Sequence, residues 1–513
     1  MPVVGHGLGL TNLILDSNWG EPMETKTRVS YLSLVRLAKR NGFTVTCPWD
    51  ASYQKDMTIW NRRLQTGPAM VAFCKKTEDV QLCVRWCRDN DFPLRVRSGG
   101  HHHEGMSCDY GVLIIDLSLM NVIRYTDKNH GWIPPGKQLQ SVYKELDARG
   151  QIIPGGGCET VCVGGLTLGG GWGMSARALG LTCDNILEAE IVMVDGSVRN
   201  VNASDPLFWA LQGGGAGNFG IVTNFLFKLT NVEHKTTESH TWTGPLARLV
   251  MEGVIGAIAD NSIPRSFTYA CRLFLDDAGH VSFMAAAQEL GTRTQADEPL
   301  RKLADNHPPV SSTVAEHTFP SQQGTENASL HHFADSKMMN ASSSRPGDTC
   351  LTGPLPHKVS SAFVKNGKEV QAAQACYDFL LRNNRSFPNA NTYISFHSFG
   401  GAIGDIRPRE TAFPYRDSML LLQFQAWWSD PADDSTDQYI NWVREVRTAL
   451  ASQGLTDGGF FNFQDASIAP ETDRYALMKY YYGINLDRLI DLKIQLDPTN
   501  VFQSGMSIPN KKR

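Results

Sequence analysis

His101 closes the run Arg95-Val96-Arg97-Ser98-Gly99-Gly100-His101, in which a short strand-like stretch gives way to two glycines and an imidazole. Glycines there let backbone N–H groups close on an anion with no Cβ in the way, which suits a pyrophosphate, although a lone glycine pair more often marks a tight surface turn. A second stretch, 155–173, holds nine glycines, with Cys158 and Cys162 among them. Each ordered glycine costs about 1 kcal/mol of chain entropy relative to alanine, so this density asks for repeated close approach of backbone to a large flat or phosphorylated ligand. It is neither a GxGxxG turn opening a helix nor a Walker loop, because no Gly-Lys-Ser/Thr follows. A third cluster, Gly213-Gly214-Gly215-Ala216-Gly217-Asn218-Phe219-Gly220, follows Trp209-Ala210-Leu211.

Such loops need rigid elements to hold them. Short apolar runs at 96–98, 112–117, 191–194 and 221–227 predict buried strands, and apolar positions at three- and four-residue steps predict helices over 78–90 and 138–148. Beyond about residue 232 the glycine clusters stop. Helices are expected over 246–259, 370–381 and 485–495, the last halted by Asp497-Pro498, and strands over 393–399 and 419–428. The polar stretch 321–348 reads as a surface loop or lid.

At 513 residues the chain is too long for one compact core, and 42% hydrophobic with 19% charged residues is ordinary for a packed globular protein. A formal charge of −4 with no long basic block argues against a nucleic-acid partner. No apolar run approaches the ~20 residues that span a bilayer, so no membrane partner is expected. The first 20 residues lack a basic region and a small-residue cleavage site, which favours an intracellular place. Eleven cysteines show no paired zinc-type spacing. His240 and the His331-His332 pair are not read as metal ligands, paired histidines without a carboxylate at ligand spacing being usually surface, so no metal is expected. Asn-x-Ser sequons at Asn202, Asn327, Asn340 and Asn384 carry little weight at this length.

The order of motifs resembles the berberine-bridge-enzyme-like family of FAD-linked oxidases within the vanillyl-alcohol-oxidase superfamily. The resemblance rests on Arg97-Ser98-Gly99-Gly100-His101, on Gly156 to Val161, on Gly180-Leu181-Thr182-Cys183-Asp184-Asn185, on Gly214 to Gly220, and on the C-terminal Tyr481-Tyr482-Gly483-Ile484-Asn485 with Asp497-Pro498 and Ser507-Ile508-Pro509. It implies an α+β fold: an FAD-binding part of residues 45–232 completed by 460–513, an inserted substrate domain of antiparallel sheet and helices at 233–459, and an N-terminal extension of 1–44. It implies FAD bound through two covalent tethers, His101 to the 8α-methyl and Cys158 to C6, against the alternative of an inert buried thiol at Cys158. Arg97, Ser98, Gly99, Gly100, Gly157, Gly164, Gly165, Gly169 and Gly170 are expected along the cofactor, as are Gly217, Asn218, Gly220, Ile221 and Asn485. Val161 stands where oxygen-using members carry a small residue beside the flavin, which favours hydride transfer to flavin, reoxidation by O2 and release of hydrogen peroxide.

One departure matters. The family's usual proton acceptor is a tyrosine on a strand facing the flavin, and here the segment reads Phe461-Asn462-Phe463-Gln464-Asp465. Phenylalanine cannot accept a proton. His103 is a candidate base at neutral pH, weighed against solvent exposure or a backbone hydrogen bond, and that blander reading is preferred for His102. Gln423 is expected to orient substrate, Trp172 to make a stacking wall, and Tyr482 to place a hydroxyl near the isoalloxazine. Cys162 reads as a small packing residue. The expected substrate is a small aromatic or polycyclic natural product. An oligosaccharide C1 oxidase and a flavin-containing cyclase doing non-redox chemistry are the alternatives. A monomer is expected.

Overall fold

The structure, a computed structural model, describes residues 31–291, 299–319, 354–383, 385 and 387–512. The expected lid at 321–348, the His331-His332 pair and the sequons at Asn327, Asn340 and Asn384 lie outside them. Asn202 is exposed.

Among the described residues, three larger sheets and one two-stranded pair carry the chain. The first joins β1 (Thr44–Thr46), β2 (Met70–Phe73), β3 (Leu94–Arg97) and β4 (Leu113–Asp116) in the order β1-β2-β4-β3, with β4 parallel to both β2 and β3. Helix Thr77–Asp89 makes the crossover that parallel strands require and buries Val80, Cys83 and Val84 against the sheet. Helix Tyr31–Asn41 sends Leu34 and Ala38 into the same core, so the chain is already part of this core well before residue 45, contrary to the expected extension. Its apolar face has nowhere else to be buried.

The second sheet takes β5 (Arg124–Tyr125), β6 (His130–Ile133) and, after the short β7 (Gln151–Ile152), β8 (Ile186–Val192), β9 (Val198–Asn202) and β10 (Ile221–Lys228), in the antiparallel order β5-β6-β10-β8-β9. β11 (Thr230–Asn231) pairs with β7. Helices Arg474–Tyr482 and Leu486–Leu496 return to this core through Leu477, Met478, Leu489 and Ile490. Buried Lys493 pins them, its ammonium donating to Asn218 O (2.8 Å) and Phe502 O (2.6 Å) while pairing with Asp497 (2.6 Å).

The third sheet has eight antiparallel strands: β12 (His234–Thr243), β13 (Phe267–Leu275), β14 (Val281–Leu290), β15 (Ser311–Thr318), β16 (His357–Val364), β17 (Ala390–Ser398), β18 (Leu420–Trp428) and β19 (Thr456–Asp457), ordered β15-β12-β14-β13-β17-β18-β16-β19. Strand alternation divides its two faces. On β18, Leu420, Leu422, Phe424, Ala426 and Trp428 pack under helices Pro245–Ala259, Glu369–Arg382 and Thr436–Ser452, while Gln423, Gln425 and Trp427 face a cavity shared with the first two sheets.

The segment 461–463, expected on a strand, is a single tight turn. A serine side chain replaces strand pairing there: Ser361 Oγ accepts from Phe460 N (3.0 Å) and donates to Phe463 O (3.1 Å). His240 is buried within the third sheet and bonded to Ser312 Oγ (2.9 Å).

Candidate active site

β3 ends at Arg97 and delivers Ser98 to His103 to the rim of one continuous cavity. The 158–162 turn lies directly against that loop. A Cβ on Gly99 would stand 2.9 Å from Thr160 O and 3.1 Å from Cys162 N, so only glycine lets the two loops meet. His101 Nε2 reaches Thr160 Oγ1 at 2.9 Å, and its ring stacks on Trp60 with centroids 4.2 Å apart. Burial drives its pKa down to about 3, so the ring is neutral and keeps Nδ1 as its second nitrogen for chemistry. Cys158 lines the same cavity, and its sulfur is disulfide-bonded.

The cavity is lined by Arg95, Val96 and Phe502, by Val161, Gly164 and Gly165, and by residues of the third sheet. Gly165 sits in helix Val163–Leu168, and a Cβ there would meet nothing within 4 Å, because that face opens on the cavity. Gly100, Gly157, Gly217, Gly220 and Ile221 also line it.

Five expected cofactor contacts do not. Arg97 is buried in an ion pair with Asp116 (2.5 Å) and faces a separate polar cleft. Asn218 braces the C-terminal segment, its Oδ1 accepting from Ile508 N at 3.0 Å. Asn485 spends its amide on Pro408, Thr411 and Ala412 carbonyls. Gly169 packs on Asn462 and Gly170 on Phe460. Tyr482 is likewise not in the cavity. Its hydroxyl donates to Gly214 O at 3.0 Å in a fully buried setting, which makes it a support for the third glycine loop. Asn218, Asn485 and Tyr482 each use a side chain to satisfy backbone groups that loop closure left without partners.

Among the catalytic candidates, His103, Gln423 and Trp172 all line the cavity. His103 Nδ1 lies 3.0 Å from His357 Nε2, and burial together with the nearby Lys358 charge lowers its pKa to about 4. The expected alternatives for His103, exposure or a backbone bond, are therefore replaced by an imidazole pair. His102 does follow the bland reading, its Nδ1 accepting from Glu104 N at 3.1 Å. Phe463 sits between two imidazoles, its ring 6.2 Å from that of His103 and 5.5 Å from that of His397. His397 Nε2 meets Gln423 Oε1 at 3.0 Å, and burial lowers its pKa to about 4. Trp172 donates to Ser398 O (3.0 Å) and sets its ring edge-on to His397 at 4.4 Å. Cys162 is buried, its thiol donating to Gly136 O at 3.3 Å, in keeping with a packing role.

His357, His397, Gln425 and Trp427 were not singled out from sequence. The signal for three of them was there: Tyr393, Ser395 and His397, and Gln423, Gln425 and Trp427, alternate with apolar residues on two long strands, which marks a sheet face turned toward a polar cavity. His357 follows a stretch with no such period.

Comparison with known proteins agrees with this geometry. A family described as FAD binding domain matches residues 68–202, and one described as berberine and berberine like matches 459–509. The uncharacterized FAD-linked oxidoreductase YgaK of Bacillus subtilis is 31% identical over 90% of this chain and 96% of its own length. Berberine bridge enzyme-like 3 of Arabidopsis thaliana is 28% identical over 89% and 86%. The glucooligosaccharide oxidase of Acremonium strictum, whose FAD is described as 6-S-cysteinyl, 8α-N1-histidyl, superposes with a TM-score of 0.79 over 94% of this chain and all of its own at 23% identity, a likeness of fold.

Proposed function

The chain belongs to the berberine bridge enzyme-like FAD-linked oxidoreductases, and from that premise we propose that it oxidises a small aromatic or polycyclic molecule, with His103 as the proton acceptor. Bound FAD would supply the hydride acceptor and hand the electrons to O2, giving hydrogen peroxide. The chain's own residues bind, orient and deprotonate.

The observation that carries the reading is the pair of neutral imidazoles on either side of Phe463, where relatives place a phenol. A buried, uncharged His103 is already in the form that accepts a proton from a substrate hydroxyl. Trp172, Phe460, Phe461, Phe463 and Trp427 give the cavity flat apolar walls. Much of the polar wall is satisfied internally: Gln425 accepts from Tyr393 OH and Trp427 Nε1 and donates to Ser395 Oγ. The flat apolar walls favour an aromatic substrate.

Two tethers are part of the proposal. Support comes from His101 and Cys158 lining one cavity on loops that touch, and from His101 using Nε2 on Thr160, which leaves Nδ1 for the 8α-carbon. A disulfide and a thioether are alternative uses of the Cys158 sulfur, so bicovalent attachment requires that disulfide to be opened first.

The test measures peroxide and oxygen uptake with a panel of benzylic and polycyclic alcohols and with cello- and chito-oligosaccharides. Turnover of the aromatic set by the native enzyme and its loss in His103→Phe is expected. Oligosaccharide turnover alone, or an unaffected His103→Phe, would overturn the reading.

A further inference from the structure

We propose that His357 is a positioning residue that fixes which nitrogen of His103 carries the proton, so that His103 presents a bare Nε2 to the cavity. The inference rests on the reading of His103 as the base.

One chain of hydrogen bonds sets the tautomer. His357 Nδ1 is 2.9 Å from Leu355 O, and a carbonyl oxygen only accepts. His357 is fully buried and is held neutral by that burial and by the adjacent His103, so it has a single N–H, which must be on Nδ1. Its Nε2 then carries a lone pair. His103 Nδ1 stands 3.0 Å from that lone pair and must donate, since two lone pairs would otherwise oppose each other. A neutral imidazole that donates from Nδ1 has its lone pair on Nε2. Within the described residues that nitrogen has no hydrogen-bond partner, and His103 lines the cavity.

His357 has little freedom to give up this role. Its ring stacks on Trp427 with centroids 4.1 Å apart. Its backbone N–H donates to Asn61 Oδ1 at 3.2 Å, and its carbonyl accepts from Asn61 Nδ2 (3.1 Å) and Arg63 Nε (3.0 Å). When His103 takes a proton on Nε2, the Nδ1–H bond to His357 stays in place, so no reorganisation accompanies the transfer.

The experiment is long-range 1H–15N correlation NMR on the flavin-loaded full chain labelled with 15N-histidine, His103→Phe identifying the His103 signals. In the native protein His103 should show a protonated Nδ1 and a bare Nε2 in essentially the whole population. His357→Phe, which keeps an aromatic ring for Trp427 but has no acceptor, should give a mixture of tautomers. His357→Gln, whose amide oxygen can accept from Nδ1, should restore the native pattern. A native His103 protonated on Nε2, or an unchanged tautomer in His357→Phe, would overturn the inference. Should the phenylalanine variant not fold, the native spectrum alone decides. Failure of the base reading is a separate result: the tautomer appears as expected, yet His103→Phe turns over the aromatic panel at the native rate.

Discussion

His103 and His357 meet nitrogen to nitrogen at 3.0 Å, and their sequence neighbours Glu104 and Lys358 form an ion pair beside them. Two consecutive residues of the 98–104 loop thus clasp two consecutive residues of β16. Lys358 also reaches Asp465 at 2.6 Å, and Arg63 reaches Glu104 at 3.0 Å. The loop that carries His101, His102 and His103, the strand that walls the cavity and the 460–465 turn are therefore joined through a few buried charges. Position in this clasp is what gives a histidine of ordinary type a defined protonation state.

Removing the central cation should weaken the whole clasp. Lys358→Met leaves Asp465 and Glu104 buried with fewer partners, and stripping one member from a buried ion pair typically costs about 3–5 kcal/mol. Denaturant unfolding of the loaded protein should show a loss of this order. A change within about 0.5 kcal/mol would mean that the charges are solvated in solution.

The pH profile follows from the direction of the His103 shift. A base must be neutral to work, and burial lowers its pKa from an ordinary 6.5 to about 4. The acid limb of kcat/KM should accordingly fall near pH 4, with activity kept at pH 5.5, where an unperturbed histidine would already be mostly charged. His103→Phe should lower kcat by roughly 10²–10⁴-fold, in line with loss of a general base, while the flavin absorbance stays at its native value. An acid limb near 6.5 would place the proton acceptor elsewhere.

Gly165 tests the cofactor cradle without touching a reactive group. Its backbone is helical and the space over it is open, so valine fits the apoprotein and is the better helix former. Gly165→Val should fold as well as the native chain, by circular dichroism and melting, and yet bind several-fold less flavin. Full flavin content would show that the cofactor does not pass over this helix.

Much of this architecture was legible in the sequence, and the reasons are specific. Strong periodicity placed helices Thr77–Asp89 and Glu369–Arg382 and strand Leu420–Trp428 close to their observed ends. The glycine clusters found the cavity because glycine is required where loops touch, as at Gly99. What was not legible depends on side-chain direction. Tyr482, Asn218 and Asn485 lie in the right segments but turn their polar atoms to backbone carbonyls and amides, a choice set by tertiary closure and invisible in residue type. His357 lies 254 residues from His103, and no local pattern announces that they meet.

Everything proposed for the site depends on FAD being fixed to the loops of His101 and Cys158. The direct measurement is to precipitate the purified protein in acid, remove the supernatant, and record the absorption spectrum and proteolytic peptide masses of the pellet. The proposal requires a yellow pellet with one flavin mass joining a peptide that contains His101 to one that contains Cys158, and a single remaining link in His101→Ala or Cys158→Ala. Flavin released wholly to the supernatant, with the His101 peptide at its unmodified mass and Cys158 recovered in its disulfide, would contradict it.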